Sequence, residues 1–185
     1  MSDQRNWLER LGDKIPGYSG YAARERRRDI DKLHRDHLAD RLRSVKQPLS
    51  DVVRELTSSG RLMEVGPVDR ASKKLDHVEQ RVRYASYGYA GFFDVAKIEE
   101  PQLEAIYRFD LALAQKVEEL EHRARALPAA AGTGEGLKAA AAEIEAALDD
   151  LNRTFDERTR HINDFGQSGG PGEGGGRPGP LFGVQ

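Results

Sequence analysis

The sequence predicts an all-α fold: an elongated helical bundle with an antiparallel coiled-coil portion and a disordered Gly/Pro-rich C-terminal tail. Three observations carry this. Apolar residues recur at three- and four-residue spacing through most of the chain. The breaks between these runs hold the helix-stopping residues Gly and Pro. Hydrophobic content is 38% against 32% charged, which suits thin cores and wide solvated faces.

The length of 185 residues is enough for one domain with an appendage. We read 1–165 as the helical domain and 166–185 as a flexible tail with an apolar tip. Net charge is −2, so nothing biases the whole chain toward nucleic acid or anionic membranes. There is no cysteine, which removes disulfides and thiolate chemistry. The polar start MSDQRNWLER lacks the apolar segment of a signal peptide. No run reaches the length of a membrane span. A cytoplasmic protein is the expectation.

In chain order, Trp7, Leu8 and Leu11 mark a short first helix. Ile15-Pro16-Gly17-Tyr18 fits a type II turn, with proline second and glycine third. A strong helix follows over 22–46, its stripe running Ile30, Leu33, His37, Leu38, Leu42 and Val45. Its other face, with Arg24, Arg26, Arg27, Arg28, Asp31 and Arg35, reads as solvated. Pro48 suggests a fresh helix start, and Gly60 a C-terminal cap. From Val68 the stripe is Val68, Ala71, Leu75, Val78, Val82, Ala85. Glu99-Glu100-Pro101 opens the next helix, whose stripe is Leu103, Ile106, Asp110, Leu113, Val117, Leu120, Ala124, Leu127. A break over 128–136 precedes the most regular stripe: Leu137, Ala141, Ile144, Leu148, Leu151, Phe155, Arg158, Ile162, Phe165.

Three places could carry function. The first is the aromatic stretch 81–98, where Tyr84, Tyr87, Tyr89, Phe92, Phe93 and Asp94 crowd around Gly88 and Gly91. It reads as a structural corner packed against Tyr18 and Tyr21, or as a tyrosine-lined ligand pocket with Asp94 as its polar group. The second is Asp110, a carboxylate on an apolar stripe. Such a group needs a charged or hydrogen-bonding partner inside the bundle. The third is the tail, whose spacer 166–176 leads to Leu181, Phe182 and Val184, a set of apolar groups suited to docking in a partner's groove. A flexible spacer of this size has a reach on the order of 20 Å.

Other constellations are weaker. His34 and His37 stand one turn apart, and Glu119 with His122 makes a Glu-x-x-His, but a di-iron bundle needs two such motifs. Surface histidines and no metal are the expectation. Arg24, Arg26, Arg27 and Arg28 could touch phosphates weakly, but interspersed acids argue against nucleic-acid binding. No phosphate loop, dinucleotide fingerprint or Ser-His-Asp arrangement occurs.

The segments IPGYSGYAARERRRDIDKLHRDHLADRL (15–42), RVRYASYGYAGFFDVAKI (81–98) and YRFDLAL (107–113) resemble a family of bacterial and archaeal helical proteins with IPGYxGY and YGYxGxFD motifs and no assigned activity. The resemblance spans about residues 15–120 and implies the helical fold without adding a mechanism.

The functional expectation is therefore a non-enzymatic scaffold or adaptor that binds another protein, with homo-oligomerisation open and no cofactor. The alternatives are a small-molecule or metal-dependent activity at the tyrosine corner, and weak nucleic-acid binding through 24–28.

Overall fold

The computed structural model describes residues 2–85 and 98–168, and every regular element among them is helical. Helix α1 spans Ser2–Lys14, α2 Arg27–Ser58, α3 Val65–Tyr84, α4 Glu100–Ala130 and α5 Gly134–Ser168. Short 3-10 turns at Arg24–Arg26 and Leu62–Glu64 lead into α2 and α3. None of these helices is long and apolar enough to cross a membrane.

Helix α2 packs on α3 and α4, and α5 packs on the same two. The four helices therefore close a ring, with α2 and α5 on one diagonal and α3 and α4 on the other. Helix α1 lies outside the ring against α4. Short connections make α2 and α3 antiparallel neighbours, and likewise α4 and α5.

Local sequence explains the ends. Helix α2 stops in a Schellman motif. Gly60 takes φ +76°, the Arg61 N–H donates to the Leu56 carbonyl at 2.8 Å, and Gly60 N–H donates to Thr57 at 3.3 Å. A reciprocal capping box closes the start of α4, where Glu99 and Gln102 satisfy each other's backbone and Pro101 needs no N–H partner. At α5, Thr133 caps by accepting from the Gly136 N–H at 3.1 Å.

Two expectations fail at prolines. Pro48 starts no new helix, because α2 runs through it, and α4 continues past Pro128 to Ala130. An internal proline costs a helix roughly 3 kcal/mol. At Pro48 the flanking Val45, Leu49 and Val52 are all buried against neighbouring helices, so burial offsets that cost.

The core divides along the bundle axis. One cluster joins α2 from Leu38, α3, α4 from Leu113 and α5 up to Phe155. The second joins Leu11, Ile15, Tyr18, Tyr21, Ile30, Leu103, Ile106, Tyr107, Leu111 and Ile162. Helix α3 is the short member of the ring. In the second cluster its place is taken by the N-terminal segment, which enters through the type II turn at 15–18. There Gly17 has φ +82° and Tyr18 N–H donates to the Ile15 carbonyl at 3.1 Å.

Gly20 fixes how closely this segment lies on α4. It has φ +77°, and a Cβ there would stand 2.5 Å from Leu8 Cδ2 and 2.7 Å from the Tyr107 hydroxyl. Gly20→Ala is expected to lower unfolding free energy in urea by about 1–3 kcal/mol. An unchanged midpoint would mean that the segment lifts off at no cost.

Candidate functional site

A buried polar layer separates the two apolar clusters, and Asp110 is its hub. Sequence reasoning required partners for this carboxylate, and the fold supplies four. Its Oδ2 accepts from the hydroxyls of Tyr18 at 2.7 Å and Tyr21 at 2.9 Å. Its Oδ1 accepts from Arg158 Nε at 2.6 Å and faces His34 Nδ1 at 3.3 Å. Asp110, Arg158 and His34 are all 0% exposed.

The layer extends from there. Arg158 Nη2 donates to Asp31 Oδ1 at 2.9 Å and to the Tyr21 hydroxyl at 3.0 Å. Asp31 Oδ2 accepts from Arg35 Nε at 2.8 Å, and Arg35 Nη1 reaches the Arg83 carbonyl near the end of α3 at 3.0 Å. The backbone of the N-terminal segment joins in: Tyr21 N–H donates to the Tyr107 hydroxyl at 3.0 Å, and Arg27 Nε donates to the Tyr21 carbonyl at 2.9 Å. Tyr21 stacks on Tyr107 at 5.9 Å between centroids, and Tyr18 stands edge-on to Tyr21 and to His34.

Charge balance explains why this layer is stable. Asp31 and Asp110 are matched by Arg158 and Arg35, a neutral foursome around His34, while buried Arg27 at the edge of the layer is attracted by Glu25. Burial drives the Asp110 carboxyl up, but Arg158, His34 and the Tyr18 hydrogen bond outweigh it and hold it below the usual carboxylate range. Burial, reinforced by Asp110, pushes the Tyr18 and Tyr21 phenols well above theirs, so both remain donors. Burial holds His34 below the ordinary imidazole value despite the attraction of Asp110.

The layer corrects several sequence expectations. His34 is buried, not on the surface, and Arg27, Asp31 and Arg35 leave the solvated face for the interior. Tyr18 and Tyr21 pack on Tyr107 and His34. Tyr84 is 70% exposed. Tyr87, Tyr89, Phe92, Phe93 and Asp94 lie outside the described residues, as do Leu181, Phe182 and Val184. Arg158 carried a legible signal, since it interrupts an apolar stripe as Asp110 does.

Elsewhere the surface is dense in ion pairs. An open groove of about 590 Å³ is lined by Arg41, Glu118, Glu119, Glu121, His122, Arg123, Arg125 and Glu143. Arg41 grips Glu121 with two hydrogen bonds of 2.8 Å. Glu119 and His122 both line this outer groove instead of the bundle interior. Among the described residues, no three His, Asp or Glu side chains converge on a point where a metal could sit. Arg24, Arg26 and Arg28 are exposed beside Glu25 and Asp29, which dilute their positive field. Comparison with protein-family models, with curated proteins and with solved structures yields no match.

Proposed function

We propose that the chain is a non-enzymatic helical scaffold or adaptor that binds another protein, with the apolar tip Leu181, Phe182 and Val184 as the docking element. The observation that supports this reading is the sealing of the polar layer. Its carboxylates and guanidinium groups are spent on one another, and its imidazole is enclosed among them. General acid–base catalysis needs a group within hydrogen-bond reach of a substrate proton. Asp110 and His34, at 0% exposure, offer no such access. What faces outward is a long charged surface suited to holding a partner in place.

The test compares the full chain with a truncation that lacks 167–185 and with Leu181→Ser/Phe182→Ser. Each is immobilised and exposed to extract from its native cells. The truncation is expected to melt like the full chain, since it keeps every residue of the two apolar clusters. Both altered forms are expected to lose the same captured protein. A truncation that folds normally and retains every partner would remove the docking role.

A further inference from the structure

We infer that residues 2–21 form an acid-sensitive strap, held shut while His34 is neutral and released when His34 takes a proton. This inference concerns the terminus opposite the proposed docking tip, and it treats the sealed layer as a state that acid can open.

The strap is attached chiefly by side chains. Leu11, Ile15, Tyr18 and Tyr21 are its buried groups. Its hydrogen bonds to the ring of helices include those of the Tyr18 and Tyr21 hydroxyls to Asp110, those of the Tyr21 backbone with Tyr107 and Arg27, and one between the Lys14 backbone and His37. At its outer edge Lys14 Nζ pairs with Glu118 at 2.6 Å, a partly exposed contact that salt weakens. A segment held by a few side chains, with no backbone ladder to the body it covers, opens more readily than the helices beneath it.

His34 lies directly under the strap. It is fully buried, and neither ring nitrogen has a hydrogen-bond partner. Nδ1 stands 3.3 Å from Asp110 Oδ1 without hydrogen-bond alignment, and the Tyr18 ring covers the imidazole edge-on at 6.2 Å. The groups that face it can be named for each packed element. Asp31 and Arg35 come from its own helix, Asp110 from α4, Arg158 from α5, and Tyr18 and Tyr21 from the strap. His37, one turn along α2, also has a buried Nε2 without a partner, and burial and Arg41 hold it low.

A proton on His34 adds a positive charge to the layer and creates an imidazolium whose Nε2–H has no acceptor. It also sets His34 against Arg158 for the same Asp110 oxygen. Three of the four walls are bundle helices anchored in the large apolar cluster. The fourth is the strap, so lifting it is the smallest movement that brings water to the ring. Release would uncover Leu103, Ile106, Tyr107 and Leu111 on α4.

The sign follows from linkage. Burial lowers the folded-state value of His34, so the open state binds its proton first. The closed state is fully favoured above the ordinary imidazole range and loses ground as pH falls through and below about 6.5.

Trp7, the single tryptophan, rides on the strap and reports its position. In the full chain, acrylamide quenching of Trp7 is expected to rise at least about two-fold between roughly pH 7.5 and pH 5.5, with far-UV circular dichroism losing no more than the share of the 13-residue α1. His34→Leu, which cannot take a proton, is expected to stay at the low level across that range. Quenching that is flat in the unaltered chain would overturn the strap, whatever the variant does. So would a coincident helix loss larger than α1 can account for, since that is global unfolding. A rise that survives in His34→Leu and disappears only in His37→Gln would equally overturn the assignment to His34.

Discussion

Replacing Arg158 with methionine is expected to destabilise the protein by about 3–5 kcal/mol, the range found when one member of a buried ion cluster is removed. Arg158 is 0% exposed and touches both carboxylates of the layer, Asp110 at 2.6 Å and Asp31 at 2.9 Å. Methionine fills similar length but donates nothing. Asp31 would keep Arg35, whereas Asp110 would be left with two phenols and an unaligned imidazole. The loss should therefore pass mainly through Asp110. In a double-mutant cycle, Arg158→Met combined with Asp110→Asn is expected to cost less than the sum of the two single changes. Chemical denaturation of the four proteins measures this. Strict additivity would show that the two groups do not depend on each other.

The sign of Arg158's contribution differs from its magnitude. A buried ion cluster is often no more stable than a well-packed apolar replacement. Here the layer sits where α3 ends and the N-terminal segment takes its place in the ring. Asp110 accepts only from specific donors on the strap and on α5, so sliding α5 by one turn would strand a charge. The cluster thus fixes the register of α4 and α5 at one level, while the apolar stripes above and below are more permissive of sliding.

How much of this was legible depends on the kind of signal. The apolar stripes place the helices because burial of one face leaves a period in the sequence. Leu38, Leu42, Val45, Leu49 and Val52 on α2 are buried as their spacing demands. Asp110 was legible for the same reason inverted: a charge on a stripe must be paired. Asp31, His34 and Arg35 were not. Burial at Ile30–Asp31, His34–Arg35 and Leu38–Ala39 shows that α2 is covered over a wide arc in this half, where Tyr18 of the strap meets His34 and Arg158 of α5 reaches Asp31. Polar residues on such an arc look identical in sequence to those on a solvated face. Which partners they find depends on contacts such as Arg158 with Asp31, 127 residues apart, that no local pattern encodes. Tyr18 and Tyr21 were recognised as anchors, and the acceptor of both hydroxyls is Asp110 on α4; most of the aromatic stretch proposed to pack on them lies outside the described residues.

Asp110→Asn is expected to lower stability by about 2–4 kcal/mol at neutral pH and to remove one acid limb of the stability profile. The carboxylate accepts on both oxygens, from two phenols on Oδ2 and from Arg158 on Oδ1. An amide has a single acceptor oxygen. Arg158 can only donate, so that oxygen turns toward the guanidinium and the amide N–H₂ turns toward Tyr18 and Tyr21. The phenols can rotate to accept, but their own buried O–H groups then lack a partner. In the unaltered protein the folded-state Asp110 value lies below the unfolded one. Its contribution is therefore complete above about pH 4 and declines as pH falls through the lower folded value. The asparagine variant lacks that decline, so the gap between the two proteins should narrow below about pH 4 and stay constant from there to neutrality, apart from the His34 contribution near pH 6. Urea titrations at a series of pH values measure the gap. A difference that widens in acid would mean that Asp110 is already protonated in the folded state at neutral pH, and the assignment of its charge would fall.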